Sequence, residues 1–269
     1  MNEKIKYYDK KIDNRLIQDE EKYNKWDRVS IGNNIDTYKN EKERDIFRFL
    51  IKSSVFSLIF QQFLGKKNRI TFLDYGCGNG QNSRIFAKAV FDSLNDNQLS
   101  IHTIYLDVSS ILLKEAEARS ESFKKEYPNF TYESVQINLN NIDSTKLFSK
   151  DYNSKVDFAF SIKFFHNAPI KINKDISHMI AATLNNGAIF CQQFYIHDSI
   201  ISKIKCYVKF FLGRKYPHSI PLDIFFADLY LRKEKLIKVY DVRQKNLRKT
   251  ILKTNHFYQH ALERYYLKP

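Results

Sequence analysis

The chain has 269 residues, a net charge of +14 and a hydrophobic fraction of 43%. Enough apolar side chains are present for a sizeable core, which excludes a globally disordered protein. The first residues, MNEKIKYYDKKIDNRL, are charged throughout and lack the apolar segment of a secretory signal. The three cysteines, Cys77, Cys191 and Cys206, are far apart in sequence. This spacing argues against structural zinc and favours a reduced, cytoplasmic setting.

The elements are predicted in chain order from hydrophobic periodicity. Residues 1–64 are predicted to form a helical lid, and residues 65–269 the main domain with a basic insertion near 197–220. Seven segments of the main domain have the pattern of strands, namely ITFLDYG, SIHTIYLDVS, YESVQINL, KVDFAFSI, AIFCQQFYI, LIKVYDV and FYQHALERYYL. Helical segments are predicted after the first, second, fourth and fifth strands, and the turn NNG opens the fifth. This alternation predicts an α/β three-layer sandwich with a mainly parallel seven-stranded sheet and an antiparallel edge strand.

A glycine-rich turn follows the first predicted strand of the main domain. The stretch FLDYGCGNG places Gly76, Gly78 and Gly80, three of the seven glycines in the chain, within five positions. Glycine permits positive φ or the close approach of another group to the backbone. A phosphate-binding P-loop is excluded because GxxxxGK[ST] is absent, and Gln81 interrupts the dinucleotide pattern GxGxxG. A tight turn without any ligand remains the alternative interpretation.

The pattern Asp-x-Gly-x-Gly-x-Gly, from Asp74 to Gly80, resembles the first motif of class I methyltransferases, which use S-adenosylmethionine and have a Rossmann-like fold. Asp107, at the end of the next predicted strand, matches the family's acidic residue that accepts hydrogen bonds from the ribose hydroxyls. The resemblance implies that S-adenosylmethionine is the cofactor, and no metal site is expected. The implied cofactor-binding residues are Asp74, Gly76, Cys77, Gly78, Gly80, Asp107, Val108, Asn138, Leu139 and Ser161.

Several of these residues have simpler interpretations. Asp107 or Ser109 would serve as a helix N-cap, and Cys77 would fill space within the turn. Asn138 stands where the family often has an Asp near the adenine amine, and it would equally suit an ordinary loop. In FSIKFFHNAP, Ser161 and His166 match the positions at which the family often has Ser or Asn followed by His.

The methyl acceptor is predicted from weaker signals. The chain lacks Pro-Pro, so amino methylation of DNA bases is not expected, and it lacks the Pro-Cys of cytosine C5 methylation. If the acceptor is a hydroxyl group, a general base assists, and His166 and His197 are the candidates. Residues expected to contact the acceptor are Tyr8, Trp26, His166, Tyr195, Lys205 and Arg214.

Basic side chains concentrate at the C-terminal end, where residues 201–269 carry 16 basic and 5 acidic side chains. Basic and aromatic residues alternate in SIISKIKCYVKFFLGRKYPHSIP, a pattern that suits a small anionic substrate, RNA or an anionic membrane surface. A solvated face in a lysine-rich chain is the alternative without function. Because no RNA-binding module is recognisable elsewhere, a small acceptor is preferred over RNA, and a lipid or quinone ranks third. A peripheral membrane contact stays open as a partner.

The sequence therefore predicts an S-adenosylmethionine-dependent methyltransferase. Its acceptor is expected to be a small anionic metabolite, such as a phosphorylated or carboxylated compound or a sugar, methylated on oxygen or nitrogen. Synthesis of a cell-surface glycan or natural product would fit such an acceptor. The alternatives are an RNA methyltransferase and a protein that binds the cofactor without catalysis.

Overall fold

The computed structural model describes residues 5–7, 67–94, 99–137, 142–162, 170–196, 204, 207–208, 221–244 and 260–269. The chain divides into two compact units, an N-terminal unit, Met1–Phe148, and a C-terminal unit, Ser149–Pro269. Within the described residues, eight strands and five helices are delimited.

Four parallel strands form the sheet of the N-terminal unit. They are β1 (Ile5–Tyr7), β2 (Arg69–Tyr75), β3 (Ser100–Asp107) and β4 (Phe130–Gln136), in the spatial order β1-β4-β3-β2. The register pairs Arg69 with Ser100 and Tyr75 with Leu106, so β2 and β3 end at the same edge of the sheet. β2 and β3 are buried along most of their length, as expected for parallel strands that are covered on both faces.

Helices follow three of these strands: α1 (Gln81–Leu94) follows β2, α2 (Ser110–Glu126) follows β3, and α3 (Ile142–Asp151) follows β4. In α2, Leu113, Ala116 and Ser120 are buried at helical spacing, and the helix packs on β3 and β4. Ser109 is the N-cap of α2, because its hydroxyl oxygen accepts a hydrogen bond of 3.2 Å from the backbone N–H of Leu112. Ser109, and not Asp107, therefore caps this helix.

The C-terminal unit contains β5 (Val156–Ile162), β6 (Leu184–Ile196), β7 (Ile237–Gln244) and β8 (His260–Leu267), in the order β5-β6-β8-β7. β5 and β6 are parallel, whereas β8 is antiparallel to both of its neighbours. Its helices, α4 (Ile170–Thr183) and α5 (Pro221–Lys233), pack against each other. The hydroxyl of Tyr266 on β8 donates a hydrogen bond of 3.1 Å to Asp228 on α5, which joins this helix to the sheet.

The predicted α/β fold with an antiparallel edge is confirmed, and three local predictions are corrected. Ile5–Tyr7, expected within a helical region, form β1 and pair with β4. The helix α3 was not predicted. The segment NNG, predicted as a turn before the fifth strand, lies inside β6, where the register with β5 shifts between Val156 and Phe158. The remainder of the predicted lid lies outside the described residues.

Of the basic insertion, the structure describes Ile204, Tyr207 and Val208, all in helical conformation. The side chains of Ile204 and Val208 are exposed. Among the described helices, none is both long enough and apolar enough to cross a membrane.

Candidate functional site

The turn after β2 has a backbone that favours glycine. Gly76, Gly78 and Gly80 have φ angles of 67°, 55° and 68°. These angles lie in the left-handed region, where a side chain strains the backbone. The concentration of glycine in this turn therefore has a conformational cause at all three positions.

Gly80 also meets a steric limit. A Cβ atom at this position would lie 2.6 Å from Cε1 of Tyr105 and 3.1 Å from Cβ of Ala116. The first distance is shorter than side-chain atoms tolerate, and Tyr105 is fully buried. Gly80 thus lets the start of α1 approach β3 and α2 closely.

Backbone and side-chain hydrogen bonds hold the turn against the end of β3. The N–H groups of Gly76 and Cys77 donate to the carbonyl oxygen of Leu106 at 2.8 and 3.1 Å. The N–H of Gly78 donates to Oδ2 of Asp107 at 2.9 Å, and Oδ1 of Asp107 accepts from the N–H of Ser109 at 2.9 Å. The carboxylate of Asp107 therefore joins the glycine turn to the start of α2, a structural role that the sequence analysis did not predict.

Asp74, the last residue but one of β2, is completely buried beneath the turn. Its Oδ2 accepts a hydrogen bond of 2.7 Å from the hydroxyl of Ser83, whereas its Oδ1 has no hydrogen-bond partner in the described part of the chain. Burial raises the pKa of this carboxyl group to about 7, and the nearby carboxylate of Asp107 raises it further, against the lowering effects of Ser83 and Arg84. A cation beside Oδ1 would offset the cost of ionising this buried group.

Two amide side chains at the start of α1 were not among the predicted site residues. Asn79 and Gln81 are 1% and 2% exposed. Oδ1 of Asn79 accepts a hydrogen bond of 3.3 Å from the N–H of Gln81, while its Nδ2 has no partner among the described residues. Neither Nε2 nor Oε1 of Gln81 has a hydrogen-bond partner among the described residues. Since buried polar atoms are rarely left without hydrogen bonds, these amides are suited to bind a ligand. The polar residues of GNGQN could have indicated them, but their burial could not be read from the sequence.

Arg84 and Cys77 stabilise the turn from inside the protein. The guanidinium of Arg84, 8% exposed, donates a hydrogen bond of 2.9 Å to the carbonyl oxygen of Asn79. The thiol of Cys77 is buried with Tyr105, Leu113 and Ala116. Burial raises the pKa of this thiol well above its ordinary value, and the carboxylates of Asp107 and Asp74 raise it further. Cys77 is therefore a packing residue and a poor nucleophile.

The structure describes three further predicted residues. The carbonyl oxygen of Val108 accepts a hydrogen bond of 2.9 Å from the amide of Gln136, at the ends of β3 and β4. Ser161 lies near the carboxyl end of β5 and is completely buried. Tyr195 lies in β6, paired with Ala261 of β8. The other predicted residues lie outside the described ranges, namely Tyr8, Trp26, Asn138, Leu139, His166, His197, Lys205 and Arg214.

Chemically, the turn offers complementary groups at short sequence separation. Asp74 supplies a carboxylate oxygen without a partner, whereas Asn79 and Gln81 supply amide donors. The N-terminus of α1 favours a negative group because it is the positive end of the helix dipole. No acidic residue of the first turn already occupies that position. Such a set of groups suits a zwitterion with one ammonium and one carboxylate. Among the described residues, no group of three or more His, Cys, Asp or Glu side chains could hold a metal ion.

No family model matches the chain, and no curated protein is similar to it in sequence. Its fold is nevertheless similar to solved structures. One is a SAM-dependent methyltransferase from Methanosarcina mazei, with 16% identity, a TM-score of 0.52 and coverage of 78% of this chain and 96% of that chain. Another is magnesium protoporphyrin IX methyltransferase from Synechocystis PCC 6803 with bound SAH, with 14% identity, a TM-score of 0.50 and coverage of 79% and 80%. The chain thus has the Rossmann-like fold of class I methyltransferases, as predicted.

Proposed function

We propose that the chain is an S-adenosylmethionine-dependent methyltransferase that acts on a small-molecule acceptor. The observation that carries this proposal is the glycine turn. There Oδ1 of the buried Asp74, Nδ2 of Asn79 and both amide atoms of Gln81 lack hydrogen-bond partners among the described residues. Leaving such groups unsatisfied costs about 1–3 kcal/mol each. That cost is recovered if a polar ligand completes their hydrogen bonds.

The amino-acid end of S-adenosylmethionine fits the charges of the turn. Its ammonium would bind Oδ1 of Asp74, and the positive charge would favour the ionised carboxylate. Its carboxylate would accept hydrogen bonds from the amides of Asn79 and Gln81, near the N-terminus of α1. Asp107, by resemblance to the family, would accept hydrogen bonds from the ribose hydroxyls while also holding Gly78.

S-adenosylmethionine supplies a methyl group that is activated by the sulfonium. The protein then has to align the acceptor in line with the methyl carbon and exclude water. For a hydroxyl acceptor, His166 or His197 is the proposed base, because an imidazole titrates near neutral pH. A carboxylate or phosphoryl oxygen would need no base.

An anionic acceptor is favoured by the charge distribution of the chain. Residues 201–269 hold 16 basic and 5 acidic side chains, so the excess of positive charge lies in one part of the sequence. The methyltransferase from Synechocystis named above acts on magnesium protoporphyrin IX, a small molecule. A phosphorylated or carboxylated metabolite is therefore the proposed acceptor class, and Lys205 and Arg214 are its proposed contacts.

Transfer of labelled methyl groups tests the proposal. The purified chain is incubated with methyl-labelled S-adenosylmethionine and, separately, with phosphorylated sugars, small carboxylic acids and total RNA. We expect label in a small-molecule product and stoichiometric release of S-adenosylhomocysteine. Label in RNA, together with RNA binding that weakens steeply with salt, would instead support the RNA methyltransferase. Cofactor binding without label in any acceptor would support the non-catalytic alternative.

A further inference from the structure

A second group of unsatisfied polar side chains lies in the C-terminal unit. Ser161 of β5 and Gln192 of β6 are register partners on adjacent parallel strands, and both are 0% exposed. Among the described residues, neither the hydroxyl oxygen of Ser161 nor either amide atom of Gln192 has a hydrogen-bond partner. Three buried polar atoms without partners in the described part of the chain, Oγ of Ser161 and Nε2 and Oε1 of Gln192, therefore belong to adjacent residues of β5 and β6.

The next residue in the same row of the sheet has its charge paired, although its Nε has no hydrogen-bond partner among the described residues. Arg264 of β8 is the register partner of Gln192, and its guanidinium lies 3.1 Å from a carboxylate oxygen of Asp241 and 3.7 Å from one of Asp228. Asp228 also accepts the hydrogen bond from Tyr266. The charge of Arg264 beside the pair is therefore balanced by two carboxylates, while Ser161 and Gln192 keep polar atoms without partners among the described residues.

The position of the pair suits ligand binding. Ser161 is the last residue but one of β5, and Gln192 lies level with it on β6. In parallel α/β sheets, ligands bind beyond the carboxyl ends of the strands. Adjacent strands are about 4.8 Å apart, so one small group can contact both side chains.

The chemistry of the pair restricts the ligand group. A hydroxyl and a carboxamide each donate and accept hydrogen bonds, and neither carries a charge. The nearby positive charge of Arg264 is already paired with two carboxylates. A carboxylate or phosphate would lose its hydration here without gaining a free cation, whereas a hydroxyl or an amide would be fully hydrogen-bonded.

We propose that Ser161 and Gln192 bind an uncharged hydroxyl or amide group of the methyl acceptor. The inference rests on the proposed function. It adds a second contact to that function: the pair would bind an uncharged group of the acceptor, whereas the basic insertion is proposed to bind its anionic group. The resemblance to class I methyltransferases implies cofactor binding by Ser161. Its register with the unsatisfied Gln192 favours the acceptor instead.

Acetamide and acetate are suitable probes, because they share a shape and differ in charge. Binding of each probe to the full chain is measured by ligand-observed NMR, in the presence of S-adenosylhomocysteine. The test variants are Ser161→Ala and Gln192→Met, which remove the polar atoms with little change in volume. The matched control is Thr103→Val, since Thr103 on β3 is also fully buried with a hydroxyl that lacks a partner among the described residues.

We expect acetamide to bind the wild type and the Thr103→Val variant equally, and to bind each test variant at least ten-fold more weakly. Acetate should bind at least ten-fold more weakly than acetamide to the wild type. The unfolding midpoints of the test variants should equal or exceed that of the wild type, because each variant removes unsatisfied buried atoms.

Three results would overturn the inference. They are equal binding of acetate and acetamide, acetamide binding that survives in both test variants, and no acetamide binding to the wild type. The last result would leave the pair as a structural feature that holds water. Failure of S-adenosylhomocysteine to bind, measured separately by calorimetry, would instead contradict the proposed function.

Discussion

Among the residues that the structure describes, glycines with positive φ occur in two regions, the turn after β2 and the irregular part of β6 around Gly187, and their surroundings differ. A Cβ at Gly80 would collide with Tyr105, whereas a Cβ at Gly187, with φ of 78°, would meet nothing within 4 Å. Beside Gly187, polar groups are paired within the unit: the N–H of Gly187 donates to the carbonyl oxygen of Lys268 at 2.8 Å, and the amide of Asn185 donates to Asp157 at 2.7 Å. The glycine turn is surrounded by Asp74, Asn79 and Gln81, which keep polar atoms without partners among the described residues.

A glycine with positive φ therefore does not by itself indicate a binding site. Both regions need glycine for backbone conformation. Unsatisfied buried polar groups distinguish the turn from the surroundings of Gly187, because a protein tolerates their cost where a ligand later completes the hydrogen bonds. Four predictions test this distinction, in order of decreasing effect.

The largest effect is expected for the pH dependence of stability at Asp74. Its pKa is raised from 3.8 to about 7 in the folded chain, so the folded state binds more protons than the unfolded state between these values. The free energy of unfolding should fall as pH rises through this window, by about 4 kcal/mol, and should then level off above pH 7. The Asp74→Asn variant should lose this decline. Denaturant unfolding at several pH values measures this free energy for the wild type and the variant. An equal dependence on pH in the two proteins would contradict a raised pKa at Asp74.

The Gly80→Ala substitution should destabilise the fold by about 3 kcal/mol, from the combined cost of a strained φ and of overpacking. The collision with Tyr105 at 2.6 Å is the main cause. Removing that ring tests the cause directly: in a Tyr105→Leu background the same substitution should cost less. An undiminished cost in that background would show that backbone strain alone is responsible.

The Asp107→Ala substitution should lower both stability and cofactor affinity, each by about 2 kcal/mol. The stability loss arises because the N–H groups of Gly78 and Ser109 lose their acceptor. The Asp107→Asn variant keeps one acceptor oxygen and should recover part of the stability. Thermal unfolding and calorimetric titration of both variants separate the effects, and lost affinity with unchanged stability would exclude the structural role.

The smallest effect is expected for Gly187→Ala, which should cost about 1 kcal/mol from backbone strain alone. The position has open space for a Cβ. Cofactor affinity should remain that of the wild type. A loss of stability as large as that of Gly80→Ala would remove the difference between the two regions.

Much of the fold could be predicted from sequence because local patterns determine it. The buried run RITFLDY forms β2, and the apolar spacing of Leu113 and Ala116 forms the inner face of α2. The predictions failed where long-range pairing decides. Ile5–Tyr7 form a strand only because β4 lies beside them. NNG lies within β6 because pairing with β5 at Leu184 resumes at Ile189, and because the N–H of Gly187 donates to the carbonyl oxygen of Lys268.

The candidate site was predictable in its backbone and only partly in its side chains. The spacing of Asp74, the three glycines and Asp107 located the turn, since these residues lie at or just beyond the ends of two neighbouring strands. Asn79 and Gln81 were missed because the sequence does not reveal that they are buried without complete hydrogen bonding. For the same reason the pairing of Ser161 with Gln192 became visible only from the register of β5 and β6.

Calorimetric titration of the full chain with S-adenosylhomocysteine tests the central claim most directly. We predict a dissociation constant in the micromolar range, which corresponds to a binding free energy of about −8 kcal/mol. Proton release should accompany binding near pH 7, because the ligand ammonium favours ionised Asp74, and repeating the titration in buffers of different ionisation enthalpy measures it. The Gln81→Leu variant should bind at least ten-fold more weakly. Absence of heat and of any thermal shift at millimolar ligand would contradict the claim that the glycine turn is a cofactor site.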